Sequence, residues 1–224
     1  MRALFSLCIV GFVFFNACTV NTSGNTNDES IAPVGNSGSQ NGDDSQASGD
    51  VKTSTTDCVS ITTNKGNIDV ALDGVNAPES VSNFLAYVNA GFYDNTIFHR
   101  VIKNFMIQGG GYTQEFVRKQ ANAPIVNEAD NGLLNKRGSI AMARLSEPHS
   151  ATSQFFINSV DNSNLDYVSQ TPEGWGYAVF GNVLEGMNVV DEISSSPTGA
   201  GGPFIQDVPN EAILIQSVNE IACS

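Results

Sequence analysis

The run Phe98-His99-Arg100-Val101-Ile102-Lys103-Asn104-Phe105-Met106-Ile107-Gln108-Gly109-Gly110-Gly111 decides how the rest of the chain is read. Its first half falls into two sets of period two, Phe98, Arg100 and Ile102 against His99, Val101 and Lys103. It then breaks and resumes as Phe105-Met106-Ile107-Gln108. Period two marks extended chain, so the run predicts a strand, a tight turn and a second strand, with the glycines supplying turn geometry at its end. Folded that way, Arg100, Phe105, Met106 and Gln108 put a cation, two large apolar groups and an amide near one another. The glycines lack the following Lys-Ser/Thr of a phosphate-binding loop.

Before this run, Val59 and Ile61 alternate with Ser60 and Thr62, and Ile68, Val70 and Leu72 with Asp69 and Ala71. The turn-prone Asn64-Lys65-Gly66 between them predicts a hairpin. Ala77-Pro78-Glu79 opens a helix that Asn76 can cap, with Val81, Phe84, Leu85 and Val88 as its buried stripe and Gly91 as its end. After the run comes a long polar, irregular stretch to about Arg137. Strands are then predicted at residues 138–143, 153–160, 176–181 and 212–215, with a short helix around Val189, Val190 and Ile193. Many strands, irregular loops and two helices suggest a closed β-barrel with helices at its ends, although composition alone does not choose barrel over sandwich.

The N-terminus reads as a targeting segment. Arg2 is followed by an apolar run over residues 3–15, too short for a membrane-spanning helix of about 20 residues but suited to a signal peptide. Phe15-Asn16-Ala17-Cys18 departs from the ordinary small-residue cleavage rule at Phe15. It resembles a bacterial lipobox instead, with Cys18 lipidated as the mature N-terminus. Residues 18–56 hold no aromatic and few apolar residues, and cannot bury enough surface to offset ordering costs of about 1–2 kcal/mol per residue. They read as a flexible polar tether with an r.m.s. reach of about 35 Å. The expected organisation is therefore signal peptide 1–17, lipidated Cys18 and tether 18–56, and one domain over 57–224.

With 23 acidic against 10 basic side chains the formal net charge is -13. That balance argues against a nucleic-acid partner, which would be gripped through Lys and Arg. With two histidines in the chain, a His-rich metal site is not available. Once Cys8 leaves with the signal peptide and Cys18 carries lipid, Cys58 and Cys223 remain, an even count for an oxidising compartment.

From about Cys58 to Cys223 the chain resembles the cyclophilin-type peptidyl-prolyl isomerases. The opening run resembles their central motif. Ala77-Pro78-Glu79-Ser80-Val81-Ser82-Asn83-Phe84, Gly91-Phe92-Tyr93, Asn127-Glu128, Gly138-Ser139-Ile140-Ala141-Met142-Ala143, Ser153-Gln154-Phe155-Phe156-Ile157 and Val179-Phe180-Gly181 follow in family order. Arg144 after Met142-Ala143, together with Gly176-Tyr177-Ala178-Val179-Phe180-Gly181, looks most like the bacterial periplasmic branch. The resemblance implies a mainly β fold, a closed eight-stranded antiparallel barrel capped by two α-helices. It implies rotation about X–Pro bonds, which breaks no bond and needs no nucleophile, metal or cofactor. By the family's pattern Arg100 is catalytic, Phe105, Met106, Phe156 and Leu165 form the proline pocket, and Gln108 orients Arg100. Gln154 and the backbone at Ala143 and Arg144 would grip the peptide, with Tyr177 at the rim. The first and last strands of that fold are neighbours, which would join Cys58 to Cys223 in a disulfide.

Taken singly, Arg100 is a surface strand residue, and Phe105, Met106 and Phe156 are core; only their joint spacing assigns them to a site. His99 reads as structural, His149 as solvated, and Trp175 as a loop anchor or part of a substrate rim. The expected activity is isomerisation in proline-containing segments of exported proteins, by a monomer on the periplasmic face of the outer membrane (or soluble in the periplasm if Cys18 is not lipidated). The alternatives are a chaperone or adaptor using the same groove with little turnover, and a structural lipoprotein with a vestigial site. The sequence departs from the family twice. Tyr177 stands where a histidine is often found, and Asn164 stands where cyclosporin-sensitive members carry tryptophan. The second departure predicts weak cyclosporin binding; a fluorescence titration that found tight binding would rule this out.

Overall fold

The first hairpin forms where the alternation predicts it. Strands β1 (Asp57–Thr63) and β2 (Gly66–Leu72) pair antiparallel from Asp57↔Leu72 to Thr63↔Gly66, burying Val59, Ile61, Ile68, Val70 and Leu72. The structure, a computed structural model, describes residues 57–223. The expected signal peptide, Cys18 and the tether to residue 56 lie outside the described residues.

Six more strands complete a closed barrel: β3 (Thr96–Ile102), β4 (Met106–Thr113), β5 (Ser139–Met142), β6 (Phe155–Asn158), β7 (Val179–Glu185) and β10 (Leu214–Ile221). The order around it is β1-β10-β3-β4-β6-β5-β7-β2, antiparallel throughout. A barrel of eight strands is just wide enough for side chains to fill. Phe84, Phe98, Phe155, Phe180, Ile107, Ile140 and Ile157 all belong to one buried core. Closure sets the first strand beside the last, and a disulfide joins Cys58 to Cys223 with Cα atoms 5.3 Å apart. It closes a loop of 165 residues, for which the chain-entropy model allows about 5 kcal/mol.

Two predicted strands are displaced. The strand expected at 176–181 starts at Val179 and runs on to Glu185, and that at 212–215 starts at Leu214 and runs on to Ile221. The added halves carry mostly exposed residues, such as Asn182, Leu184, Glu185, Asn219 and Glu220. Backbone pairing with β2 and β1, and no apolar pattern, makes them strands.

Helix α1 (Pro78–Asn89) stands near the end of β2, where Phe84 meets Phe155 and Phe180 at 5.5 and 5.2 Å. Helix α2 (Met187–Ser194) packs Val189 against Gly66, at the opposite end of β2. Asn76 does not cap α1; it bonds back to Asp73. The cap is the Glu128 carboxylate, brought by the long loop, which accepts from Glu79 N–H (3.0 Å), Ser80 N–H (2.8 Å) and Ser80 Oγ (2.7 Å). A carboxylate at a helix N-terminus satisfies orphan donors and meets the positive end of the dipole.

The three glycines are not a turn either. They lie inside β4. Gly110 has φ +78°, and a Cβ there would press on the Tyr93 and Phe155 rings; a Cβ on Gly111 would collide with the Gln154 side chain. The run is glycine because rings and an amide close over the strand.

The two-set alternation of β3 is also broken, since residues 96–99 are all buried. Its outer face is covered by a two-stranded hairpin that the sequence did not reveal, β8 (Thr198–Gly201) and β9 (Phe204–Pro209). Phe204 stacks on His99 at 5.4 Å and meets Tyr112 edge-on at 5.2 Å. Burial pushes the His99 imidazole down to about 4, the Ile97 backbone opposes this, and the adjacent Arg100 charge adds to it. The folded protein thus takes up this proton only near pH 4, whereas an unfolded histidine takes it up near 6.5. Stability conferred by neutral His99 is complete above that value. It falls as pH drops from about 6.5 to about 4, by on the order of 3 kcal/mol. Urea unfolding across this range should show a smaller loss in His99→Phe; identical slopes in the two proteins would contradict it.

Candidate active site

Register across four strands assembles the site. Arg100 of β3 pairs with Gln108 of β4, Gln108 with Phe156 of β6, and Phe156 with Ala141 of β5. Directly paired residues in a sheet share a face. This row lies on the outer face, because the neighbouring row, Val101, Ile107, Ile157 and Ile140, is the one buried in the barrel core. Met106, Ala141, Phe156 and Val179 form a second, smaller buried cluster on this outer side, with Phe105, Leu165 and Tyr177 packed at its edge.

A cleft of about 100 Å³ opens over this cluster, lined by Arg100, Phe105, Met106, Gln108, Ala143, Arg144, Phe156, Leu165 and Tyr177. Nine of the ten residues expected from sequence therefore meet in one place. The tenth, Gln154, lines an adjoining cleft of about 450 Å³ that shares Gln108, Ala143 and Arg144 with the first. The two clefts are connected by a relay of amides. Arg100 Nη1 donates to Gln108 Oε1 at 3.4 Å, and Gln108 Nε2 donates to Gln154 Oε1 at 3.0 Å. The second bond fixes which way the Gln108 amide faces, and so presents its oxygen to the guanidinium.

The Ala143 N–H is committed to the Gln154 carbonyl at 2.9 Å, so what Ala143 can offer a peptide is its carbonyl. Arg144 does more than its backbone suggested. Its Nε donates to the Gly176 carbonyl at 2.8 Å and its Nη1 to the Leu145 carbonyl at 3.0 Å, with the guanidinium 4.7 Å over the Tyr177 ring. It ties two rim loops together, and Tyr177 in turn meets Phe156 edge-on at 5.6 Å. Asn164 is exposed beside Leu165, leaving that wall low. Trp175 sits between His149 (4.9 Å) and Tyr167 (5.6 Å), outside the cleft, as a loop anchor. His149 is exposed yet engaged, its Nδ1 accepting from Asn127 N–H at 3.0 Å.

Sequence reasoning missed the support beneath the apolar wall. Asn135, Asn158 and Asn162 are all buried. Asn162 Nδ2 donates to the Phe105 carbonyl (2.9 Å) and to Asn158 Oδ1 (2.6 Å), and Asn158 Nδ2 donates to Asn135 Oδ1 (3.2 Å). Asn135 Nδ2 reaches the carbonyls of Leu165 (3.1 Å) and Tyr177 (3.3 Å). One amide network thus fixes the backbone of three cleft residues. Its only trace in the sequence is asparagine placed next to strand-like apolar residues, as in Phe156-Ile157-Asn158. Among the described residues, no group of three or more His, Cys, Asp or Glu could hold a metal ion.

Known proteins resemble this chain over the whole barrel domain. The profile of the family described as cyclophilin type peptidyl-prolyl cis-trans isomerase/CLD matches residues 58–220. Peptidyl-prolyl cis-trans isomerase B of Escherichia coli is 53% identical over 160 residues, covering 71% of this chain and 97% of its own. Peptidyl-prolyl cis-trans isomerase A of Dickeya dadantii is 55% identical over 163 residues, covering 73% and 84%. A crystal structure of a Cryptosporidium parvum cyclophilin type peptidyl-prolyl cis-trans isomerase superposes with TM-score 0.60 at 26% identity, covering 76% of this chain and all of the other. With its barrel, its cleft and its sequence in agreement, the chain belongs to the cyclophilin-type peptidyl-prolyl cis-trans isomerases.

Proposed function

We propose that Arg100 is the catalytic group of this isomerase and that the protein acts on exported polypeptides from a lipid anchor at the cell envelope. Rotation about an X–Pro bond faces a barrier of about 18–20 kcal/mol and takes tens to hundreds of seconds unassisted. The barrier is loss of amide resonance at the prolyl nitrogen, so a donor aimed at the twisted, pyramidal nitrogen lowers it without any bond breaking. The observation that carries this reading is the outer row itself. It sets the Arg100 guanidinium beside Phe156 and Met106, the apolar surface on which a proline ring can rest.

The other lining residues divide the work. Phe105, Met106, Phe156 and Leu165 exclude water and hold the ring. Gln108 orients Arg100, while Gln154, Arg144 and the Ala143 carbonyl border the wider cleft through which an extended chain would run. Fixing one side of the bond while the other turns converts binding into catalysis. The closed barrel has no free edge strand through which copies of the barrel could pair, which supports a monomer. The apolar run over residues 3–15 followed by Cys18 supports lipid attachment, and Thr19 in place of the aspartate associated with inner-membrane retention supports the periplasmic side of the outer membrane.

Arg100→Ala should lower kcat/KM for a proline peptide by about 100-fold. Unchanged activity would remove the role given to Arg100. In cells, Cys18→Ser should move the protein from the membrane fraction to the soluble one; equal distribution of the two proteins would remove the lipid anchor.

A further inference from the structure

Among the described residues, four that are not glycine have positive φ: Asn95, Asn104, Phe116 and Asp207. Asparagine and aspartate tolerate that region, whereas phenylalanine there is an outlier. Phe116 and Asp207 both stand where the β8–β9 hairpin meets the barrel. Phe116, at φ 60°, lies so close over Gly202 that a Cβ there would collide with its ring, and it reaches Phe204 at 6.3 Å. Phe204 is thereby held between Phe116, Tyr112 and His99.

Asp207, at φ 66°, sits in an irregularity of β9. Gly199 pairs with Val208 and Gly201 with Phe204, so Ile205, Gln206 and Asp207 stand opposite the single residue Ala200. Extra residues of this kind re-aim a side chain and are common beside active sites. Here they turn the Asp207 carboxylate onto Arg100, with Oδ2 at 3.8 Å from Nε, while Gln206 Nε2 donates to the same oxygen at 3.2 Å. Gln108 meets a different nitrogen of the guanidinium, Nη1. The guanidinium is thus approached at two nitrogens by two separate elements, an ion pair at Nε and a hydrogen bond at Nη1.

We propose that Asp207 is a positioning residue for isomerisation, and that the β8–β9 hairpin serves to bring its carboxylate to Arg100. This rests on the catalytic role given to Arg100 above. The side chains of the pair are 44% and 23% exposed, so their attraction adds little to stability. Its effect is to keep a long, freely rotating side chain in one orientation, a contribution to the transition state that needs no change in substrate binding.

The test is Asp207→Gly, which retains positive φ without strain while deleting the carboxylate. Three quantities are measured: kcat and KM for a proline peptide by NMR exchange, the order parameter of the Arg100 Nε–H, and amide exchange protection in β8 and β9. The expected result is kcat lowered about three- to fivefold, KM unchanged, a reduced Arg100 order parameter and unchanged protection. Unchanged kcat would overturn the proposal, as would a loss of kcat that comes with lost hairpin protection, because the role would then be structural. Adding Asp207→Gly to Arg100→Ala should lower activity no further; an additional threefold fall would overturn it. If Arg100→Ala alone keeps full activity, the reading of Arg100 fails and the proposal goes with it, whereas full activity in Asp207→Gly alone leaves Arg100 standing.

Discussion

Val101 points into the barrel and Arg100, one residue earlier, points out; the molecule depends on keeping those two directions apart across four strands. Val101, Ile107, Ile157 and Ile140 form the inner row, each 1% exposed or less, and Arg100, Gln108, Phe156 and Ala141 form the outer one. Because side chains alternate with period two, a slip of one residue would exchange the rows. It would move a guanidinium into a dry core, at a cost of several kcal/mol, and push isoleucines into water. The apolar row therefore fixes the register, and the register fixes the polar row. In this way a hydrophobic pattern on one face determines the geometry of the cleft on the other.

Around that row, different kinds of force hold different walls of the cleft. The apolar wall is fixed from behind by the buried Asn135, Asn158 and Asn162 amides, which bond to the carbonyls of Phe105, Leu165 and Tyr177. Buried amides are costly unless each is partnered, and here they partner one another, so the network tolerates little displacement. The rim is tied by Arg144. The cationic wall is the most exposed, with Arg100 held by Gln108 and by the edge of a hairpin that itself rests on a neutral, buried His99. Stability rests on the core and the amides, and the orientation of Arg100 on its exposed polar neighbours.

Much of this was legible in the sequence, and the parts that were not share a cause. The hairpin of β1 and β2, the helix stripe at Val81, Phe84 and Val88, and the strand pair carrying Arg100 and Gln108 all follow from local periodicity. The family motifs added the barrel and nearly the whole cleft. What stayed hidden depends on contacts between distant segments. Glu128 caps a helix 48 residues away, Gly111 is glycine because Gln154 lies across it, and Asn135 reaches Tyr177. Residues 198–209 carry Gly, Pro and polar side chains with little alternation, so their pairing and the docking of Phe204 leave no local pattern. Gln154 was expected to grip the peptide; its side-chain bond to Gln108, whose oxygen faces Arg100, left no local trace because the two lie 46 residues apart.

The central claim is that rate depends on a guanidinium held in a fixed orientation, and not on a positive charge alone. Arg100→Lys separates the two, since lysine keeps the charge and loses the planar fork that Gln108 and Asp207 can hold at two nitrogens. The most direct measurement is the isomerisation rate of a proline peptide, followed by NMR exchange spectroscopy with wild type and with Arg100→Lys at matched occupancy. The account predicts that Arg100→Lys loses at least about tenfold in kcat with little change in peptide affinity. A lysine variant turning over at the wild-type rate would contradict it, because charge without orientation would then suffice.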